Sequence, residues 1–231
     1  LSARRRGGAI VSGATGTLHA PPEACSTGRW DSEYESGRWE FLKSTTEASR
    51  LYLAAARCAA IKTGGSVLDI GCGEGVFQQV LSRFGHQRYL GIDISERATE
   101  KAKLSKDATA KFQVAPAETF SSPARFDVIV FNETMYHFKD PVLVLLGYER
   151  FLKKDGIMIV SVYLARLRES LRMMTLLKRL SDSTRLIDEV AIRSPAGLIW
   201  NVRVLRPARH DEERSSNASV QGGYGAAGGA A

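Results

Sequence analysis

The chain has 231 residues, 44% of them hydrophobic and 25% charged, a balance that fits one globular domain of ordinary size plus tails. No apolar run reaches the ~18–20 residues of a membrane span. The net charge of +7 is spread without a block of five like charges, which disfavours nucleic acid as its reason and leaves a basic surface suited to an anionic substrate.

Residues 1–27 read as a poorly ordered arm, rich in Gly, Ala, Ser, Thr and Pro and without periodicity. Its three arginines would also suit a targeting segment. Residues 38–61 carry apolar positions at helical spacing, and Thr63-Gly64-Gly65 ends that helix. SVLDIG (66–71) predicts a strand and GVFQQVLSRFG (75–85) a helix. RYLGIDIS (88–95) predicts a second strand, after which Ser95 caps a helix to about 106. KFQVAP (111–116) is a short strand. RFDVIVFNE (125–133) is a nearly continuous apolar strand, as expected where both faces are covered. DPVLVLLGYERFLKKDG (140–156) predicts a helix with Pro141 in its first turn and Gly156 past its end. IMIVSVY (157–163) is the next strand. The stretch 164–181 predicts an amphipathic helix with a core stripe of Leu164, Leu167, Leu171, Met174, Leu177 and Leu180. RLIDEVAIR and GLIWNVRVL, on either side of Ser194-Pro195-Ala196-Gly197, predict an antiparallel hairpin. Residues 207–231 read as a second low-complexity tail.

Strand–helix alternation over 65–163 implies an α/β fold: a Rossmann-like, doubly wound, seven-stranded sheet that ends in an antiparallel hairpin. Residues 28–206 form the domain. Cys25, Cys58 and Cys72 have neither metal nor disulfide spacing, so no metal is expected and the compartment is reducing, which points to the cytoplasm.

In such a sheet, ligands bind beyond the carboxyl ends of the strands. VLDIGCGEG (67–75) supplies a strand end and a turn there, and Gly71, Gly73 and Gly75 let the backbone touch a ligand closely. Cys72 need only be small there, and its place within the turn counts it with the glycines among the expected cofactor-binding residues. Asp93 ends the second strand 22 residues after Gly71, where an acid can accept hydrogen bonds from both ribose hydroxyls of a nucleoside. The same geometry serves nicotinamide dinucleotides. Two acids flank the turn, however: Asp69 before it and Glu74 within it. Negative charge disfavours a pyrophosphate and suits the sulfonium and ammonium of S-adenosylmethionine.

With VLDIGCGEG, GIDIS, the AETF–FDVIVFNE block and the terminal hairpin, residues 30–205 resemble the class I S-adenosylmethionine-dependent methyltransferases, and among them the ubiquinone-biosynthesis-like small-molecule group. The resemblance implies S-adenosylmethionine as cofactor. It places Asp69 and the turn glycines at the methionine part, Asp93 at the ribose and Ile94 on the adenine. Pro116 stands where the family often has an acid for the adenine amino group, so the resemblance leaves that contact to the Ala117 backbone amide and to Glu118.

The stretch NETMYHFKDP (132–141) ends the fourth strand where cofactor and acceptor would meet. His137 is the candidate general base, because imidazoles titrate near neutrality; a loop-orienting role is the alternative. Glu133 is the second candidate, and Asn132 fits cofactor contact better than chemistry. Tyr136 falls on the substrate side. Ahead of the first strand, RWDSEYESGRWEF (29–41) predicts a lid helix, with Tyr34, Arg38 and Trp39 facing cofactor or substrate. The expected reaction is methyl transfer to a small-molecule or glycan acceptor, an anionic one among the options, at oxygen. RNA or protein methylation and a non-catalytic cofactor-binding scaffold are the alternatives.

Overall fold

The computed structural model describes residues 27–164, 168–194 and 197–208. The two arms expected at 1–27 and 207–231 fall almost wholly outside the described residues.

Seven strands form one sheet in the order β3-β2-β1-β4-β5-β7-β6. They are β1 (Gly64–Ile70), β2 (His86–Asp93), β3 (Ala110–Val114), β4 (Phe126–Asn132), β5 (Leu152–Tyr163), β6 (Thr184–Arg193) and β7 (Ile199–Pro207). The first five are parallel, whereas β7 runs antiparallel to both β5 and β6. The chain reverses its winding between β1 and β4, which opens a crevice at their carboxyl ends.

Alternation along each strand sends side chains to two cores. Leu68, Ile70, Ile92, Ile129 and Phe131 face α5 (Pro141–Gly147) and α6 (Arg168–Ser183). Val67, Tyr89, Val128 and Val130 face α2 (Thr45–Ile61), α3 (Val76–Leu81) and Ala102 of α4 (Glu96–Ser105). With both faces covered, the central strands are buried almost throughout, as the apolar run at 125–133 requires. Ser95 caps α4 as expected, its hydroxyl accepting from the Ala98 amide at 3.1 Å.

Three boundaries differ from the sequence pattern. The helix expected over 38–61 divides into a 3₁₀ turn at Glu40–Lys43 and α2, with an extended Ser44 between them. A separate helix, α1 (Thr27–Glu35), precedes it. The helix expected to reach residue 155 stops at Gly147 and passes through a 3₁₀ turn at Tyr148–Phe151 into β5. Gly156 is no helix cap: it lies at a bulge, where the pairing jumps from Phe126↔Leu152 to Val128↔Ile157. A Cβ on Gly156 would meet the Leu152 side chain at 2.7 Å and the Lys153 carbonyl oxygen at 3.0 Å, so the fold-back is tight there. The α6 stripe is also shifted. Leu176, Leu177 and Leu180 are buried, while Leu171 and Met174 are more than half exposed.

Candidate functional site

The turn after β1 carries positive φ at Gly71, Gly73 and Gly75. Two of these glycines also leave room for named neighbours. A Cβ at Gly71 would lie 2.3 Å from the Thr134 methyl, and one at Gly73 would lie 2.7 Å from the Tyr34 hydroxyl. The glycines therefore admit two side chains close to the turn backbone as well as a ligand. Cys72 is buried against Gly91, its thiol pushed well up by burial first and then by the charges of Asp93 and Asp69. It is a packing residue, not a nucleophile.

Asp93 ends β2 beside the turn. Its Oδ2 accepts from the Gly73 amide at 2.8 Å and its Oδ1 from the Ser95 amide at 2.9 Å. Burial pushes this carboxyl up while those amides pull it down. The Ile94 amide is a third donor, and the carboxylate's roughly four lone-pair sites still leave room for a hydroxyl. Ile94, half-buried, follows it. The loop after β3 is tied down by the Tyr148 hydroxyl, which donates to the Ala117 carbonyl at 2.7 Å, and Glu118 is exposed on that loop.

Asp69 is fully buried on the face shared with α2, and the Tyr89 hydroxyl donates to its Oδ2. Its Oδ1, the Thr134 hydroxyl and the Trp39 indole N–H are buried without a hydrogen-bond partner among the described residues. Orphaned polar atoms around a glycine cradle are what a polar ligand would satisfy.

The role expected of Glu74 needs correction. Burial pushes its carboxyl up, but hydrogen bonds from Lys101 and Lys43 outweigh this and hold it below the usual range. Lys101 stands 2.7 Å from it, and Lys43 completes the pair. Its charge is thus spent on two lysines rather than presented to a ligand. The pair fastens the segment expected as a lid: Lys43 belongs to the 3₁₀ turn after α1, and Lys101 also donates to the Tyr34 carbonyl at 3.1 Å. Asp31 of α1 accepts from the Ser95 hydroxyl at 2.7 Å and from the Arg97 amide at 3.2 Å, which puts an anion at the start of α4. Arg97 reaches Glu35 at 2.7 Å.

Tyr34 is buried over the turn, its hydroxyl beside Gly73. Arg38 is not turned inward: it lies on the outer side, half-exposed, 3.8 Å from Glu33 and against the Trp39 ring. Trp39 stacks on Trp30 with ring centroids 5.8 Å apart, and Trp30 meets His137 edge-on at 4.8 Å. His137 also touches Tyr136 at 4.7 Å. The lid and the loop after β4 therefore meet through aromatic rings.

Glu133 does not stand as a free base. Its Oε1 accepts from Ser161 at 2.7 Å, and its Oε2 accepts from the Tyr136 hydroxyl at 3.0 Å and the Tyr163 amide at 2.9 Å. Three donors leave the carboxylate a structural anchor, strong enough to hold Glu133 at φ 61, an unusual conformation outside glycine. Asn132 is likewise engaged, its Oδ1 accepting from Arg50 Nη1 at 2.6 Å.

Arg50 and Glu47 were missed by sequence reasoning. Both are buried in α2 and joined at 2.6 Å. The signal was present: 47, 50, 51, 54 and 58 share one helical face, and charges that continue an apolar stripe are rarely idle. Arg50 is the one buried cation among the described residues. No cluster of metal-ligating residues occurs among them.

Comparison with known proteins gives a consistent answer. A family model described as a methyltransferase domain matches residues 39–205. Curated relatives include ubiquinone biosynthesis O-methyltransferases of Leptothrix cholodnii, 32% identical over 104 residues (42% of this chain, 44% of the relative), and of Pseudoalteromonas translucida, 37% identical over 93 residues (36% and 39%). The chain thus spans less than half the length of the curated relatives it matches. Among solved structures, N-methyltransferase NodS of Bradyrhizobium japonicum, in complex with S-adenosylhomocysteine, is 19% identical with a TM-score of 0.63, covering 74% of this chain and 91% of that one. The 1,6-didemethyltoxoflavin N1-methyltransferase of Burkholderia thailandensis is 20% identical with a TM-score of 0.62, covering 81% and 94%. At such identity these likenesses speak for the fold. The family match runs from Trp39 through the glycine turn, Asp93 and the terminal hairpin, and the chain belongs to the methyltransferase domain family, with the class I architecture.

Proposed function

We propose that this chain transfers a methyl group from S-adenosylmethionine to a small-molecule acceptor, at a hydroxyl oxygen. The observation that carries the reading is Asp93, oriented by the Gly73 and Ser95 amides beside the glycine turn. The residues present fit the cofactor. Asp93 would hold the ribose hydroxyls and Ile94 the adenine, with the Ala117 amide and Glu118 at its edge. Gly71, Gly73 and Gly75 would admit the methionine part beside Asp69. The buried Arg50 guanidinium, steadied by Glu47 and adjoining Asn132, suits the carboxylate of that part. When bound, the cofactor supplies an electrophilic methyl group on a sulfonium.

The chain's own part is to orient, cover and dry the site. The lid excludes water, and proximity in a dry pocket supplies much of the acceleration. His137, edge-on to Trp30 and beside Tyr136, would take the hydroxyl proton, as Glu133 accepts from three donors. The names of the curated relatives support an oxygen acceptor. The basic surface suits an anionic acceptor, and a glycan is the alternative small substrate. Buried, unbridged Cys58 and Cys72 fit the cytoplasm, and no described helix is long and apolar enough to cross a membrane.

Calorimetric titration with S-adenosylmethionine, its demethylated product and NAD tests the cofactor. Micromolar binding of the first two and none of NAD is expected. Radiolabelled transfer to phenols, glycans and RNA then tests the acceptor. Transfer to RNA alone would overturn the small-molecule reading.

A further inference from the structure

Asp69 is the penultimate residue of β1, two residues before the first turn glycine, and it is 1% exposed. The titratable groups around it are Tyr89 and Asp93 of β2, Cys58 of α2 and Cys72 of the turn. No cation figures among these neighbours. One carboxyl oxygen takes the Tyr89 hydroxyl, while the other has no partner among the described residues. A lone hydrogen bond does not compensate a fully buried negative charge. Burial accordingly pushes the Asp69 carboxyl up to about 7, the Tyr89 hydrogen bond pulls the other way, and the Asp93 charge adds to the push.

We propose that Asp69 selects the sulfonium-bearing donor over its demethylated product by giving up a proton to solvent when the donor binds. This rests on the reading that the glycine turn holds S-adenosylmethionine. The donor carries one more positive charge than the product. In the protonated state Asp69 offers that charge nothing, whereas in the ionised state the two attract through a medium that screens poorly. The balance is simple: the carboxylic acid becomes a carboxylate, the proton passes to buffer, and no other bond changes. Once the methyl group has left, the sulfur is neutral, Asp69 regains its proton and the product is held less tightly. Linkage fixes the sign: donor affinity rises with pH up to about 7 and levels off above it.

The test is calorimetry in phosphate and in imidazole buffers, whose different ionisation heats report protons released per ligand bound. Near pH 6 the donor is expected to release close to one proton and the product less than about half of one. Donor affinity should fall about ten-fold between pH 8 and pH 6, while product affinity moves by less than about two-fold. Asp69→Asn should abolish the proton release. Tyr89→Phe, which removes the hydrogen bond that lowers the carboxyl, should move the midpoint to higher pH, and it carries the test if Asp69→Asn does not fold. Tight donor binding without proton release, equal release for donor and product, or an unchanged slope in Asp69→Asn overturns the proposal alone. No donor binding at any pH overturns the cofactor reading as well.

Discussion

Asp93 shows how a residue marked by the sequence is positioned by the structure. Its spacing from the glycines marks it; only the structure shows that two backbone amides aim it. Asp93→Ala should weaken S-adenosylmethionine binding at least about ten-fold, the loss of two charge-assisted hydrogen bonds. Unchanged calorimetric affinity would remove Asp93 from the ribose. His137 needs a subtler comparison, because its ring both packs on Trp30 and carries a basic nitrogen. His137→Phe keeps the packing. A kcat that falls about 10²-fold or more in both the Phe and the Ala variants, with cofactor affinity nearly intact, is the expected mark of a base. Full activity in the Phe variant would reduce His137 to a spacer. Glu133 was legible as a polar residue at the right strand end. Its role was not, because the three donors that occupy it come from a nearby turn and from β5, about 30 residues on.

At the scale of elements, strands and turns were legible because period-two burial and glycine spacing are local. Boundaries set by tertiary packing were not. The residues that continue α5 in sequence, Leu152 to Gly156, belong instead to the bulged start of β5, where Asp127 captures Lys153 at 2.7 Å. That pairing and the hydrogen bonds of Ser66 outweigh burial and draw the Asp127 carboxyl down to about 2. The segment expected as a lid stood out in its mixed aromatic and charged composition, but its fastening did not, since Glu74, Lys43 and Lys101 come from three separate segments. Glu74→Gln should loosen α1. Faster proteolysis within 27–43 and faster release of the demethylated product in stopped flow are expected, with little change in melting temperature. Protection equal to wild type would mean that Asp31 and the aromatic contacts hold the lid alone.

Across the whole molecule, the parallel strands bring the candidate site segments to one end of the sheet. The opposite end is free to serve stability. Asp69 sets these demands against each other. Its folded carboxyl titrates near 7, above the unfolded value of about 3.9. The folded chain therefore holds a proton that the unfolded chain has lost, and stability falls as pH rises from about 4 to about 7, then levels off. Asp69→Asn removes this loss. Its melting temperature should draw ahead of wild type across that window, and parallel curves from pH 4.5 to pH 8 would contradict a raised carboxyl.

The lid is held by two unlike fastenings. Over the turn they are ionic, with Glu74, Asp31 and Arg97; over the loop after β4 they are aromatic, with Trp30, Trp39 and His137. Dissolved salt weakens the first and leaves the second alone, whereas a cosolvent such as an alcohol does the reverse. The end over the turn and the end over the loop after β4 can thus be unlatched one at a time, so a single covering strap has two separately adjustable ends.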